Sequence, residues 1–321
     1  MGIKNLNRFL KENCSKRSIR KINLNQLESK TVVIDTSIYM YKYIAEGALI
    51  ENMYLLISLL LTNNITPLFV FDGNPPPEKY ALLQQRKIDK KTAEDKYNDL
   101  LIQYKSDDID AANKMLLFQE MKLLKNQFVR LTENDKNKVK ELLNSYGVMY
   151  YVSPCEADDI CAYMVITGKA WACLSDDMDM FVYGCPRVIR NISLLNKTVL
   201  FYDTTHILTD LCMTEEHFKQ ILVLSGTDYN IYDNTDLDTT IGWYTKYRKQ
   251  LVTKKISSSI SFYQWLLNSS EYITNIDKLN HICELFKINH IKELDEIKIC
   301  LKDRNSKELH TIMEKEGFVF S

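Results

Sequence analysis

Four short runs of apolar, β-branched or aromatic residues stand out in an otherwise polar chain: Thr31-Val-Val-Ile34, Pro67-Leu-Phe-Val-Phe71, Val148-Met-Tyr-Tyr-Val152 and Ala170-Trp-Ala-Cys-Leu174. Each is continuous rather than alternating, as expected of strands buried on both faces of a parallel sheet. Between the first two, Ile38 to Leu61 carries apolar residues at near-helical spacing and no proline, which predicts the helical crossover of a βαβ unit. Arg187-Val-Ile-Arg190 and Thr198-Val-Leu-Phe-Tyr202 predict a hairpin or further strands at the sheet edge.

Residues 79 to 145 differ in character. They are highly charged, free of proline and rich in helix formers, with Gly147 closing the stretch. A helical segment of that length exceeds what a crossover needs, so it is expected to rise above the sheet. From about Met213 onward the pattern is one of short helices, and Thr214-Glu-Glu-His217 resembles a helix start. The predicted class is therefore α/β: a mostly parallel central sheet flanked by helices, with a helical insertion and a small C-terminal helical region. Internal repeats and low-complexity tracts are absent.

Composition narrows the setting. The 321 residues suffice for a sizeable core, and 45% hydrophobic with 26% charged residues is ordinary for a folded soluble chain. Nothing approaches the ~18 consecutive apolar residues of a membrane span. The opening Met1-Gly-Ile-Lys-Asn-Leu6 is too polar for a secretory signal, and Leu6 stands where myristoylation wants Ser or Thr. Eight cysteines form no paired spacing, which suits a reducing, intracellular compartment, nucleus or cytoplasm. A net charge of −1 does not announce a nucleic-acid binder, but its distribution is uneven. Residues 79 to 140 hold 14 Lys or Arg against 10 Asp or Glu, and Lys246-Tyr-Arg-Lys249 with Lys254-Lys255 forms a second basic cluster.

The chemistry lies in the residues just beyond the strands. The first strand ends in Asp35, the second in Asp72, the third runs into Glu156-Ala-Asp158-Asp159 and the fourth into Asp176-Asp177-Met-Asp179. Ligands of open α/β sheets bind outside the carboxyl ends of the strands. A single Asp there is more often a helix N-cap, and Asp35-Thr-Ser37 alone reads so. Four acidic strand ends together predict a site for divalent cations, which would relieve the repulsion among the carboxylates. Oxygen-only ligation favours Mg²⁺ or Mn²⁺ over zinc. All five histidines, His206, His217, His281, His290 and His310, come later in the chain. Two such ions ~3.5–4 Å apart suit phosphoryl transfer, and the expected activity is metal-dependent phosphodiester hydrolysis. The strand-end pattern leaves Asp176 and Asp177 unranked.

Taken together, Met1-Gly-Ile-Lys-Asn-Leu6, Val33-Ile-Asp-Thr-Ser37, Val70-Phe-Asp-Gly-Asn-Pro-Pro76, Pro154-Cys-Glu-Ala-Asp158, Ser175-Asp-Asp-Met-Asp179 and Leu224-Ser-Gly-Thr-Asp-Tyr229 resemble the flap endonuclease/XPG-like family of structure-specific 5′ nucleases, over roughly residues 1 to 230. The resemblance implies a PIN-like nuclease domain at 1–230 with a helical arch at about 79–145. It also implies a C-terminal helical region at 231–321 with a degenerate helix–two-turn–helix. It assigns Asp35, Asp72, Glu156, Asp158, Asp177, Asp179 and Asp228 as carboxylate ligands of two Mg²⁺ ions. Asp228 comes from the family alone, and Asp159 and Asp176 become neighbours. Lys79 and Arg86 match basic residues that touch the scissile phosphate, Tyr41 a stacking aromatic, and Gly2 a terminus packed beside the active site. The implied substrate is DNA with a 5′ flap or a single-strand/duplex junction, handled by a monomer in replication, repair or recombination.

Departures from the family pattern are local. Glu156-Ala-Asp158 carries the shorter acid where the family has a second Glu. Asn230-Ile-Tyr-Asp-Asn-Thr-Asp-Leu-Asp238 stands where the family has a glycine-rich hairpin that holds a monovalent cation; Lys246, Arg248 and Lys249 are candidate duplex contacts. Gly317-Phe-Val-Phe320 offers no clear sliding-clamp motif. Two further readings share the scaffold: an RNA endonuclease, and a catalytically inactive nucleic-acid-binding subunit. The full set of seven acids argues against the latter.

Overall fold

The computed structural model describes residues 2–106, 110–230, 233–257 and 259–318. Met1 of the N-terminal motif, residues 107–109 of the helical insertion, 231–232 of the acidic loop and 319–321 of the C-terminal tail lie outside the described residues.

Among the described residues, seven strands form one sheet: β1 (Ile19–Asn23), β2 (Thr31–Asp35), β3 (Thr66–Phe71), β4 (Tyr150–Val152), β5 (Ala172–Leu174), β6 (Arg187–Ser193) and β7 (Thr198–Asp203), in the order β1-β7-β6-β5-β2-β3-β4. The four predicted central strands are present and mutually parallel, with β5 between β2 and β6. β6 and β7 make the expected antiparallel hairpin. β1 has no counterpart among the expected strands; it pairs antiparallel with β7 at the edge. Its sequence, Ile-Arg-Lys-Ile-Asn, is dominated by exposed polar residues, as an edge strand tolerates but a buried-strand pattern does not reveal.

Alternation along the strands splits the core between the two faces. Val33, Leu68, Val70, Cys173 and Val188 face one cluster, joined by helix Ala157–Ile166 and by Phe218, Phe262, Leu266 and Phe286. Val32, Ile34, Phe69, Phe71, Leu174 and Ile189 face the other, with helices Thr36–Ala45, Leu49–Thr62 and Glu133–Ser145. The crossover between β2 and β3 is two helices rather than one continuous helix over 38–61. The chain breaks at Gly47, whose φ of +75° a glycine adopts without steric penalty.

The insertion is helical, but only part of it leaves the sheet. Helices Tyr80–Tyr104 and Ala111–Lys125 pack on each other and bury few side chains, Leu82 and Ala93 on the first and Met121 on the second. Helix Glu133–Ser145 instead buries Val139, Leu142 and Leu143 against Leu49–Thr62. A capping box starts it, with Thr132 and Asp135 exchanging hydrogen bonds.

The C-terminal residues serve both faces. Leu279, Ile282 and Leu294 join the first cluster, whereas Leu309 and Met313 of helix Ser306–Lys315 join the second. Between them the chain lies beside the approach to β4: Lys302 N–H donates to Gly147 O at 2.8 Å and Asn305 N–H to Ser145 O at 2.8 Å.

Candidate active site

Three parallel strands deliver acids to one end of the sheet. Asp35 is the last residue of β2, Asp72 comes directly after β3, and Asp177 and Asp179 lie just past β5. Glu156 is the N-cap residue of helix Ala157–Ile166, and Asp158 lies in its first turn. Asp72 Oδ1 accepts the Ala157 N–H at 2.8 Å, so it satisfies a free donor at that positive helix end. Asp228 arrives differently, from the loop after helix Glu215–Leu224, and a strand-end search could not have found it.

Asp35 and Asp179 are only 4% and 3% exposed. Burial, then the charges of Asp72 and Asp177, push the Asp35 carboxyl well above the usual range. Asp158 is raised by burial, then by Asp35 and Asp177; Asp179 by burial, then by Asp177 and Asp228. Glu156 is raised by burial, with Lys79 opposing. Each of the seven predicted acids thus bears on at least one other, so the seven form one electrostatically linked cluster at this end of the sheet.

The structure separates Asp176 from Asp177. Asp176 turns away from the crevice: its Oδ1 accepts Asn191 N–H at 2.6 Å and its carbonyl accepts from Arg190 Nη2. Asp177 faces inward, its Oδ1 accepting Asp179 N–H at 2.9 Å. Asp159 Oδ1 accepts Ile160 N–H, and burial raises its pKa to about 6.

Cations sit among the acids. Lys79, in the short turn Pro77–Lys79 after β3, is 5% exposed and places Nζ 2.7 Å from Glu156 Oε2 and 3.7 Å from Asp228 Oδ2. Burial, the largest single effect, works against its charge, but Glu156, Tyr229 and Asp158 together outweigh it and the Lys79 pKa is raised. Its ammonium also lies 5.0 Å from the Tyr229 ring centroid. Arg86, on helix Tyr80–Tyr104, donates from Nη2 to both carboxylate oxygens of Asp228. Neither residue is merely a solvated helix charge.

Gly2 is packed against the same acids. A Cβ added there would collide with Asp177 Oδ1 and stand 2.6 Å from Asp179 Oδ1, and φ is +74°. Tyr41 is 40% exposed, so it is not a core aromatic, and Lys90 Nζ stands 5.0 Å from its ring centroid. Lys246, Arg248 and Lys249 share helix Leu237–Val252; Lys246 and Lys249 are exposed, and Lys246 stacks on Trp243 at 4.1 Å. The acidic loop before this helix is spent locally: Asp236 caps it through Thr239 N–H, and Asp233 pairs with Lys278.

Among the described residues, no three His, Cys, Asp or Glu side chains close on one point as a preformed metal cage would. Glu156 and Asp228 turn to Lys79 and Arg86 instead. The donors nevertheless fit a hard divalent cation. They are all oxygens, and Asp179 Oδ1 is buried with no hydrogen-bond partner among the described residues. His206, His217 and His290 contact Asp203, Tyr244 and Asp295 rather than these acids.

The XPG N-terminal domain model matches residues 1–93 and the XPG I-region model residues 147–228, together more than half of the chain. The interval they leave holds most of the helical insertion. Flap endonuclease 1 of Methanococcus aeolicus is 29% identical over 228 residues, 66% of this chain and 66% of the relative. Flap endonuclease 1 of Meyerozyma guilliermondii is 29% identical over 248 residues, 71% of this chain and 63% of the relative. The chain thus spans slightly less than two thirds of the length of these relatives. The catalytic core of Rad2 in complex with DNA substrate shares the fold, with a TM-score of 0.68 at 20% identity over 98% of this chain and 94% of that one. So does flap endonuclease-1 from Methanococcus jannaschii, with a TM-score of 0.62 at 23% identity over 93% and 90%. With both family models in order and every acidic motif in place, the chain belongs to the flap endonuclease/XPG-like family.

Proposed function

We propose that this protein is a divalent-metal-dependent, structure-specific 5′ nuclease that hydrolyses phosphodiester bonds in flapped or branched DNA. The observation that carries the reading is seven carboxylates clustered at the ends of the parallel strands with two cations, the buried Lys79 and the exposed Arg86. Asp35, Asp72, Glu156, Asp158, Asp177, Asp179 and Asp228 would hold two Mg²⁺ ions, which Mn²⁺ could replace. When bound, such ions supply Lewis-acid activation of a water and stabilise the leaving oxygen.

The protein's own groups do the rest. Lys79 and Arg86, now paired with Glu156 and Asp228, are positioned to exchange those carboxylates for the oxygens of a scissile phosphate and offset its developing charge. Gly2 lets the N-terminal backbone approach Asp177 and Asp179 where a side chain could not. Tyr41 offers an exposed ring on which a base could stack, and helices Tyr80–Tyr104 and Ala111–Lys125 would form an arch over a single strand. In this division 1–230 is the catalytic domain. Lys246, Arg248 and Lys249 of the C-terminal region hold duplex phosphates, and the chain acts as a monomer.

A panel of end-labelled flap, nicked, gapped and single-stranded DNAs, with single-stranded RNA alongside at the same salt, tests the proposal with and without Mg²⁺. Mg²⁺-dependent cleavage near the flap junction supports it. Cleavage confined to RNA would shift it to an RNA endonuclease, and no cleavage of any member would refute it.

A further inference from the structure

Ser175 is the first residue beyond β5 and is fully buried. Its backbone N–H donates to Ile189 O of β6 at 3.1 Å. Its hydroxyl reaches the other way: Oγ lies 3.0 Å from Asp35 Oδ2, at the end of β2, and 3.1 Å from the Asp177 N–H. The Asp177 N–H can only donate, so Ser175 Oγ accepts from it, and the hydroxyl proton is left to donate to Asp35 when that carboxyl is ionised. Asp177 Oδ1 then accepts the Asp179 N–H at 2.9 Å. One hydroxyl therefore links Asp35, on the neighbouring strand, to Asp177, which in turn accepts from Asp179 on the same loop.

The same loop is tied down on its far side. Asp176 accepts from Asn191 N–H and from the buried Arg190 guanidinium. With Asp176 drawn toward β6 and Ser175 linked to β2, the loop has little freedom to shift Asp177 relative to Asp35. We propose that Ser175 is a positioning residue that sets the spacing of the Asp35 and Asp177 carboxylates and so the affinity of the site for divalent cations. The proposal rests on the nuclease reading above, which treats both acids as metal ligands.

Calorimetric titration of the whole protein with Mg²⁺, in the absence of nucleic acid, tests it. Removing a partner that orients a metal ligand typically weakens metal binding by about 10–100-fold, so Ser175→Ala should raise the Mg²⁺ dissociation constant at least about tenfold. Ser175→Thr, which keeps the hydroxyl, should restore most of it. Ser145→Ala is the structural control: Ser145 is equally buried, but its Oγ donates to Leu142 O within a helix end. It should lower the melting temperature and leave Mg²⁺ affinity unchanged. Ser175→Ala binding Mg²⁺ as tightly as wild type, with only a lower melting temperature, would overturn the proposal, as would a failure of Ser175→Thr to restore affinity. If the wild-type protein takes up no Mg²⁺ at all, the nuclease reading itself fails and this inference falls with it.

Discussion

Arg86 and Asp228 are 142 positions apart, yet Arg86 Nη2 lies 3.1 Å and 3.0 Å from the two carboxylate oxygens of Asp228. The contact joins the helical insertion to the loop that closes the acid cluster. A guanidinium 43% exposed and a carboxylate 16% exposed form a pair that water screens only partly. Arg86 therefore occupies an acid that the proposed reaction assigns to metal. Arg86→Ala should lower the single-turnover cleavage rate of flap DNA by about 10²-fold, as for loss of a charge-stabilising donor. It should not weaken Mg²⁺ binding, because Asp228 is released. A matching loss of Mg²⁺ affinity would instead make Arg86 a scaffold for the acid.

The raised carboxyls set a pH dependence for the metal-free protein. Asp35, Asp158 and Asp179 all have folded-state pKa values above the unfolded value of about 4. Above that pH the native state binds more protons than the unfolded state, so stability falls as pH rises toward the folded pKa values. The destabilisation is absent below about pH 4 and grows with ionisation. Mg²⁺ binds the ionised carboxylates and releases their protons. Thermal melts should therefore show a larger Mg²⁺-induced rise in Tm at about pH 8 than at about pH 5. Equal shifts at both would contradict the cluster's assignment.

Asp179→Asn should separate stability from function. Its Oδ1 is buried beside Asp177 and has no hydrogen-bond partner among the described residues, so removing the charge relieves repulsion. The metal-free Tm should rise by about 2 °C or more, and Mg²⁺-dependent cleavage should fall to background. A destabilised variant that retains cleavage would argue against the site.

Gly2→Ala makes a sharper geometric test. The added methyl would meet Asp177 and Asp179 in a backbone conformation that alanine resists. Cleavage should fall at least about tenfold, the consequence of a small misplacement of reacting groups, with the circular dichroism spectrum unchanged. Wild-type activity in this variant would mean that the terminus has moved aside.

Lys246 and Lys249 are exposed on one helix, one turn apart. If they grip duplex phosphates, the Lys246→Ala/Lys249→Ala double variant should weaken DNA binding and reduce the salt slope by about one per lysine lost. Little change in duplex affinity would remove this helix from the interface.

Much of this was legible in the sequence because the central strands are continuous apolar runs, and each run ends in acid. Asp35, Asp72, Glu156, Asp158, Asp177 and Asp179 lie among the acids that rule marks, together with Asp159 and Asp176, which it does not separate from them. Asp228 does not lie among them, because it reaches the crevice from a helix end and carries no strand signal; only the family motif marks it. The family motif chooses Asp177 over Asp176; the physical reason, Arg190 and Asn191 of β6 holding Asp176, lies on a strand that local spacing does not suggest. β1 is hidden by its charged edge pattern, and the break at Gly47 by apolar periodicity on both sides. The helical insertion is visible as charged, proline-free sequence. That its last helix, Glu133–Ser145, belongs to the core depends on Val139, Leu142 and Leu143 meeting Leu49–Thr62, a tertiary contact that helix propensity does not encode.

The central claim is that the acid crevice cleaves phosphodiesters through bound divalent cations. Single-turnover cleavage of a labelled 5′-flap DNA by wild type and Asp177→Ala, across a Mg²⁺ titration, tests it most directly. The account predicts Mg²⁺-saturable cleavage by wild type and a loss of at least about 10³-fold in the variant with its fold intact. Cleavage that persists in Asp177→Ala, or that needs no divalent ion, would contradict it.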